Sequence, residues 1–322
     1  MGRLLVTGSL AYDYILGFPG HLQHSLAPLS ERDRCNITLH ASQLDRHPGG
    51  CGGNICYTLA LLGRHPRLLA IAGGDITPYR QDLERVGVDL SHIKVLSDEL
   101  TASCIILTDS VHNRVVAFYG GATDRAGELN FEAAAGDDIT ACIIAPDDTA
   151  AMVAFAQEAR RLNLPFIFDL GSQVSSLSAD EIRSAVVGSQ VFVCNDYEMS
   201  IFQAKTGWKV EQLQQVQKPG PLGSLVVVTQ GEKGSLLYRP GQEPILVPAV
   251  PLRRAPVDST GAGDAYRSGF CLGWMEGRSW ELCARLGSTA AAFVLEAGGT
   301  QGHVFALEEY WERYRESFGA LQ

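Results

Sequence analysis

The segment Asp258-Ser259-Thr260-Gly261-Ala262-Gly263-Asp264 holds the residues best suited to chemistry in this chain of 322 residues. A glycine turn there runs directly into an apolar stretch that predicts a helix over 263–275. Gly261, Ala262 and Gly263 would let backbone N–H groups converge on an anion at a helix N-terminus, where the helix dipole favours negative charge. An acid at that spot is informative. Asp264 would repel a bound phosphate if it merely filled space. It makes sense as a base that takes the proton from a hydroxyl attacking a γ-phosphate, while the glycine turn stabilises the transferring group. The pattern by itself leaves a second reading open, in which Asp264 is a helix cap.

Other chemistries lose their main support. There is no Gly-x-x-x-x-Gly-Lys-[Ser/Thr] phosphate loop, no Gly-x-Gly-x-x-Gly after the first strand, no His-Arg-Asp loop and no Gly-x-Ser-x-Gly elbow. A net charge of -10 argues against non-specific nucleic-acid binding, which needs a basic face to displace counterions, and points to a small-molecule substrate. The eight cysteines are scattered without a Cys-x-x-Cys pair, so buried free thiols are expected rather than a metal site. The opening run, Met1 to Leu10, is short for a signal peptide, and no later stretch approaches membrane-spanning length. A cytoplasmic protein that does not enter a membrane is the expectation.

These residues must be positioned by a scaffold, and the hydrophobic pattern describes one. With 46% hydrophobic residues, the chain can bury a sizeable core. Residues 4–10 read as a buried first strand delivering Asp13 at its C-terminal end, the edge where parallel sheets keep ligands. Residues 17–45 mix Pro, His, Ser and Arg and read as an excursion from the core. A glycine loop at 49–53, a helix over 54–62 stopped by Gly63 and a strand over 68–72 make an α/β unit. Residues 103–108 and 114–119 are β-rich runs around Asp109-Ser-Val-His-Asn113, which predicts a hairpin. From residue 139 strands and helices alternate: strands at 140–145, 166–170, 191–195 and 225–229, helices at 150–162 and 178–187. An antiparallel edge follows at 234–239 and 245–250, then helices over 263–275 and 280–296. The fold expected is α/β, a mostly parallel sheet with helices on both faces and a small β lid. The large domain would take 1–15, 41–98 and 121–322, and the lid 16–40 and 99–120.

The 258–264 segment resembles the signature of the ribokinase, or PfkB, family of carbohydrate and nucleoside kinases, with Ser259 in place of the family's other small residue. Gly49-Gly50-Cys-Gly-Gly-Asn54 resembles the family's N-terminal glycine segment. Asn195-Asp-Tyr-Glu198 resembles its Asn-x-x-Glu motif, and Thr229-Gln-Gly231-Glu-Lys-Gly234 resembles its nucleotide-side loop. The resemblance covers nearly the whole chain, in the family's order. It implies a ribokinase-like fold and transfer of phosphate from ATP to a hydroxyl, with Asp264 as the base. Asp13 and Asn54 would bind vicinal hydroxyls, with Gly50 close by. Asn195, Thr229, Gly231 and Gly234 would lie along ATP, and Glu198 would organise waters around Mg²⁺. Asp258 would sit beside a monovalent cation such as K⁺, and a homodimer would form through the lid. Arg267 and Arg114 are candidates for phosphate charge, with solvated surface residues as the plain alternative.

Several stretches resemble the bacterial adenosine kinases of this family more than its sugar kinases: residues 6–13, 118–122, 195–198, 205–208 and 298–302. On that comparison Ser9, Asp13, Thr38, Gly50, Asn54 and Gln173 would hold the nucleoside, and Phe118 would stack on its base. A lid-core aromatic is the alternative role for Phe118. Two departures lie at the base end: Cys104 stands where those kinases place a second aromatic, and Ser172-Gln173 where they place a Gln-Gln pair. Phosphorylation of adenosine at the 5′-hydroxyl is the first expectation. Another nucleoside, a sugar such as ribose or fructose, and a non-catalytic binding protein are the alternatives.

Overall fold

The computed structural model describes residues 2–23, 38–111 and 113–320. Among the described residues, thirteen strands form two sheets: β1 (Arg3–Thr7), β2 (Ala11–Phe18), β3 (Gln43–Gly49), β4 (Arg67–Gly73), β5 (Asp89–Leu96), β6 (Ala102–Asp109), β7 (Arg114–Tyr119), β8 (Ile139–Ile144), β9 (Phe166–Asp169), β10 (Val191–Asn195), β11 (Leu225–Thr229), β12 (Ser235–Tyr238) and β13 (Ile245–Val247). The large sheet runs β13-β12-β11-β10-β9-β8-β1-β4-β5, parallel throughout except where β12 and β13 turn back antiparallel. Continuous runs such as Leu225-Val-Val-Val are what a strand buried on both faces requires.

Alternation along the strands divides the core in two. Val191 and Val193 join the cluster beneath helices Cys51–Leu61 and Ala262–Met275, whereas Phe192 and Cys194 join the cluster beneath helices Thr149–Arg161, Ala179–Val186 and Asp196–Thr206. The residues expected to do chemistry collect along one edge, at the C-terminal ends of the parallel strands, where Asp169, Asn195 and Thr229 each close a strand.

The small sheet has the order β3-β2-β6-β7, with β6 and β7 forming the expected hairpin. It draws on more of the chain than the expected lid boundaries: 11–15 and Gln43–Gly49 belong to it too. Residues 24–37 of the expected lid lie outside the described residues. Asp13 corrects the reading of 4–10 as one strand. β1 ends at Thr7, and Asp13 lies within β2 of the small sheet. The turn comes at Gly8, whose φ of 153° and approach to the Gly52 backbone leave no room for a side chain. Hydrophobic periodicity does not register such a turn, because Leu10 is as apolar as the strand before it.

Candidate active site

Asp264 occupies the first turn of helix Ala262–Met275, but it does not cap it. The N-cap is Gly261, in the left-handed region at φ 81°, and no side chain caps the helix. The Asp264 carboxylate turns toward the neighbouring helix, where Asn54 Nδ2 donates to its Oδ2 at 2.8 Å. The cap reading therefore fails. Asn54 is itself oriented: Gln301 Nε2 donates to its Oδ1 at 2.9 Å and also bonds the Tyr79 hydroxyl, which donates to the Gly49 carbonyl at 2.9 Å. With its oxygen engaged by Gln301, the Asn54 amide has its N–H₂ directed at the carboxylate. Burial raises the Asp264 carboxyl above its ordinary range, opposed by Arg267 and by hydrogen bonds from Asn54 and Cys51, with Glu198 adding to the rise. A raised carboxylate is a better proton acceptor from an alcohol than an ordinary one.

On one side of this base lie the residues expected to hold the acceptor. Gly50 packs against the Ser9 carbonyl, and Ser9 Oγ accepts from the Cys51 N–H at 3.3 Å. Asp13 is buried. Burial, then the charges of Asp264 and Asp258, push its carboxyl up to about 7. Register across the small sheet pairs His47 with Asp13, Asp13 with Cys104 and Cys104 with Phe118. Paired residues share a face, so Cys104 stands between Asp13 and Phe118 on the side that carries Asp13. Phe118 is 60% exposed, an aromatic without a core to fill, which removes its lid-core alternative. Thr38 is exposed and lies outside any strand or helix. Gln173 donates through Nε2 to the Asp147 carbonyl at 2.8 Å, and its neighbour Ser172 lines the cavity described next.

On the other side of Asp264 is a cavity of about 1000 Å³. Asn195, Glu198, Thr229, Gly231 and Gly234 all line it, as do Gly261, Ala262 and Gly263. Its far wall is apolar, with Val250, Leu252, Ala292 and Leu295 suited to a flat base. Asn195 and Glu198 form a reciprocal capping box: Asn195 Oδ1 accepts from the Glu198 N–H at 2.7 Å and Glu198 Oε2 from the Asn195 N–H at 2.8 Å. The capping role and the site role thus coexist, because the cap fixes a buried carboxylate at the cavity wall. No group of three or more His, Cys, Asp or Glu among the described residues could hold a metal by itself. A buried carboxylate at the wall fits Mg²⁺, which keeps waters and phosphate oxygens around it rather than an all-protein cage. Asp258 Oδ1 accepts from the Thr260 N–H and hydroxyl at 3.0 and 2.8 Å, which shapes the start of the glycine turn.

Arg267, read as either a phosphate partner or a surface residue, is buried and paired with Asp169 at the cavity wall. The side chain of Arg114 lies outside the described residues. Asp169, Cys51, Tyr79 and Gln301 were not assigned roles from sequence. Asp169 had a signal, a carboxylate closing an apolar strand at the ligand edge, and Gln301 sat in a segment noted for its resemblance alone. Tyr79 had none.

The pfkB family carbohydrate kinase model matches residues 19–304. The chain belongs to the PfkB family. It is thus a kinase of ribokinase-like fold, as the resemblance of its motifs implied. Among its PfkB relatives, the nucleoside kinase of Methanothermobacter thermautotrophicus is 29% identical over 318 residues, covering 98% of this chain and 96% of the other. The structure of the Burkholderia thailandensis nucleoside kinase in complex with inosine superposes with a TM-score of 0.87 at 29% identity, covering 99% of both chains. Arabidopsis thaliana ribokinase, complexed with ribose and ATP, shares the fold with a TM-score of 0.76 at 19% identity, covering 98% of this chain and 99% of the other. No helix among the described residues is long and apolar enough to cross a membrane.

Proposed function

We propose that this PfkB kinase transfers the γ-phosphoryl group of MgATP to the 5′-hydroxyl of a nucleoside, adenosine first among them. The observation that carries the reading is the row Asp13–Cys104–Phe118 across three strands of the small sheet. Strands lie about 4.8 Å apart, so Phe118 stands roughly 10 Å from Asp13, the reach of a nucleoside rather than of a bare pentose. Asp13 and Asn54 take the ribose hydroxyls, and Phe118 covers the base. Likeness to two nucleoside kinases along nearly the full chain supports the same choice.

In the reaction the acceptor oxygen forms a bond to the γ-phosphorus as the bond from that phosphorus to the ADP oxygen breaks, the electron pair leaving with ADP. Asp264 takes the hydroxyl proton, and the N–H groups of the glycine turn face the transferring phosphoryl group. Mg²⁺, when bound, neutralises phosphate charge, and Glu198 would hold its waters. Asn195, Thr229, Gly231 and Gly234 would line the nucleotide, and Asp258 would border a monovalent cation such as K⁺. The small sheet closes as a lid over the acceptor, excluding water that would otherwise be phosphorylated.

Cys104 favours a second reading, because a base held on one aromatic face loses stacking that a sugar kinase would not need. An ATP-consumption screen over adenosine, inosine, guanosine, cytidine, ribose and fructose, with product masses, separates the two. Nucleoside 5′-monophosphates are expected; turnover of ribose or fructose alone would sink the nucleoside reading.

A further inference from the structure

The cavity that would receive a triphosphate is lined by five carboxylates, Asp169, Asp196, Glu198, Glu232 and Asp264, and among the described residues by a single side-chain cation, Arg267. Arg267 is 8% exposed and stands three residues along the helix from Asp264. Nη2 donates to Asp169 Oδ1, and Nε lies against Asp169 Oδ2 as an ion-pair contact, so the carboxylate holds one edge of the guanidinium. The remaining nitrogen, Nη1, lies beside Gly263, the last glycine of the turn: a Cβ placed there would stand 2.6 Å from it. Burial works against the charge, but Asp169, Asp264 and Glu198 outweigh it and hold the guanidinium protonated.

From this geometry we propose that Arg267 is a catalytic residue whose Nη1 donates to the phosphoryl group in transit, and that Asp169 is the positioning residue that aims it. The inference rests on the phosphotransfer reading above and deepens it. A phosphoryl group seated on the N–H groups of the glycine turn carries its charge on equatorial oxygens, and one of them falls beside Nη1. Asp169 fixes the planar fork so that no side-chain entropy is lost when the phosphate arrives, a role Lys could not fill from a flexible stem. The pair also neutralises a buried carboxylate that would otherwise face the incoming phosphates.

The test uses the full chain and whichever acceptor the wild type phosphorylates. Arg267→Gln is expected to lower kcat about 10²-fold or more, as loss of one charge-stabilising donor does elsewhere, with acceptor KM nearly unchanged. Asp169→Asn should lower kcat by a smaller factor, also without a KM change. Because Arg267→Gln alone strands a buried carboxylate, the double variant Asp169→Asn/Arg267→Gln removes both charges together. A double variant that melts like the wild type and remains as slow as Arg267→Gln supports the proposal. Recovery of kcat in the double variant would reduce Arg267 to a structural counter-ion and overturn it, as would a kcat for Arg267→Gln close to the wild type. Wild-type protein inactive on every nucleoside and sugar would instead overturn the functional reading.

Discussion

Replacing Asp13 with Asn should make the unliganded protein more stable, and more so at alkaline than at acid pH. Asp13 is 7% exposed, and burial followed by repulsion from Asp264 and Asp258 moves its carboxyl from an ordinary 3.8 to about 7. Between those values the folded chain holds a proton that the unfolded chain has released, so stability falls as pH rises through that window and levels off above it. At about 1.4 kcal/mol per tenfold change in an equilibrium constant, the burden is about 2 kcal/mol at pH 5 and about 4 kcal/mol at pH 8. Asn preserves the shape and carries no charge, so Asp13→Asn escapes the burden. Urea unfolding at the two pH values reads the difference: the gain from Asp13→Asn should be roughly 2 kcal/mol larger at pH 8. An equal gain at both, or a loss that grows with pH, would refute the placement of a strained carboxylate beside the base. On the proposed role of Asp13 in binding substrate hydroxyls, the same variant should also lose acceptor affinity.

Gln301→Glu reverses the hydrogen-bond direction that orients Asn54, turning its oxygen toward Asp264. Since a hydrogen bond to a charged group is worth about 1.5–3 kcal/mol, the acid limb of the kcat/KM profile should move up by about 1–2 pH units. An unmoved limb, measured across a pH series, would count against the relay. Cys104→Phe should supply the missing second aromatic face and lower the nucleoside KM by a factor consistent with ~1–3 kcal/mol of stacking, while Phe118→Ala should raise it. Steady-state kinetics with adenosine read both, and a nucleoside KM insensitive to either change would place the base elsewhere.

The parallel sheet was legible because its strands are buried on both faces and read as unbroken apolar runs, of which 225–229 is a clear case. Asp264 was legible because glycines before an apolar helix have few other uses. What escaped is what depends on contacts between distant segments. Gln301 and Asn54 are 247 residues apart and meet only once the sheet is assembled. The strand change at Gly8 depends on how closely the Gly52 backbone approaches. The bond from Gln173 to the Asp147 carbonyl joins residues 26 apart, which no local pattern shows. For Arg267 the sequence leaves surface and site both open, since an arginine one turn along a helix faces inward only when a buried acid such as Asp169 meets it.

The most direct test of the central claim is Asp264→Asn, which keeps the side-chain shape and removes the proton acceptor. Affinities for ADP and for the acceptor should stay close to wild type, while kcat falls by about 10²–10⁴-fold, the usual effect of losing a general base. A kcat near that of the wild type, with binding intact, would contradict the assignment of Asp264 as the base.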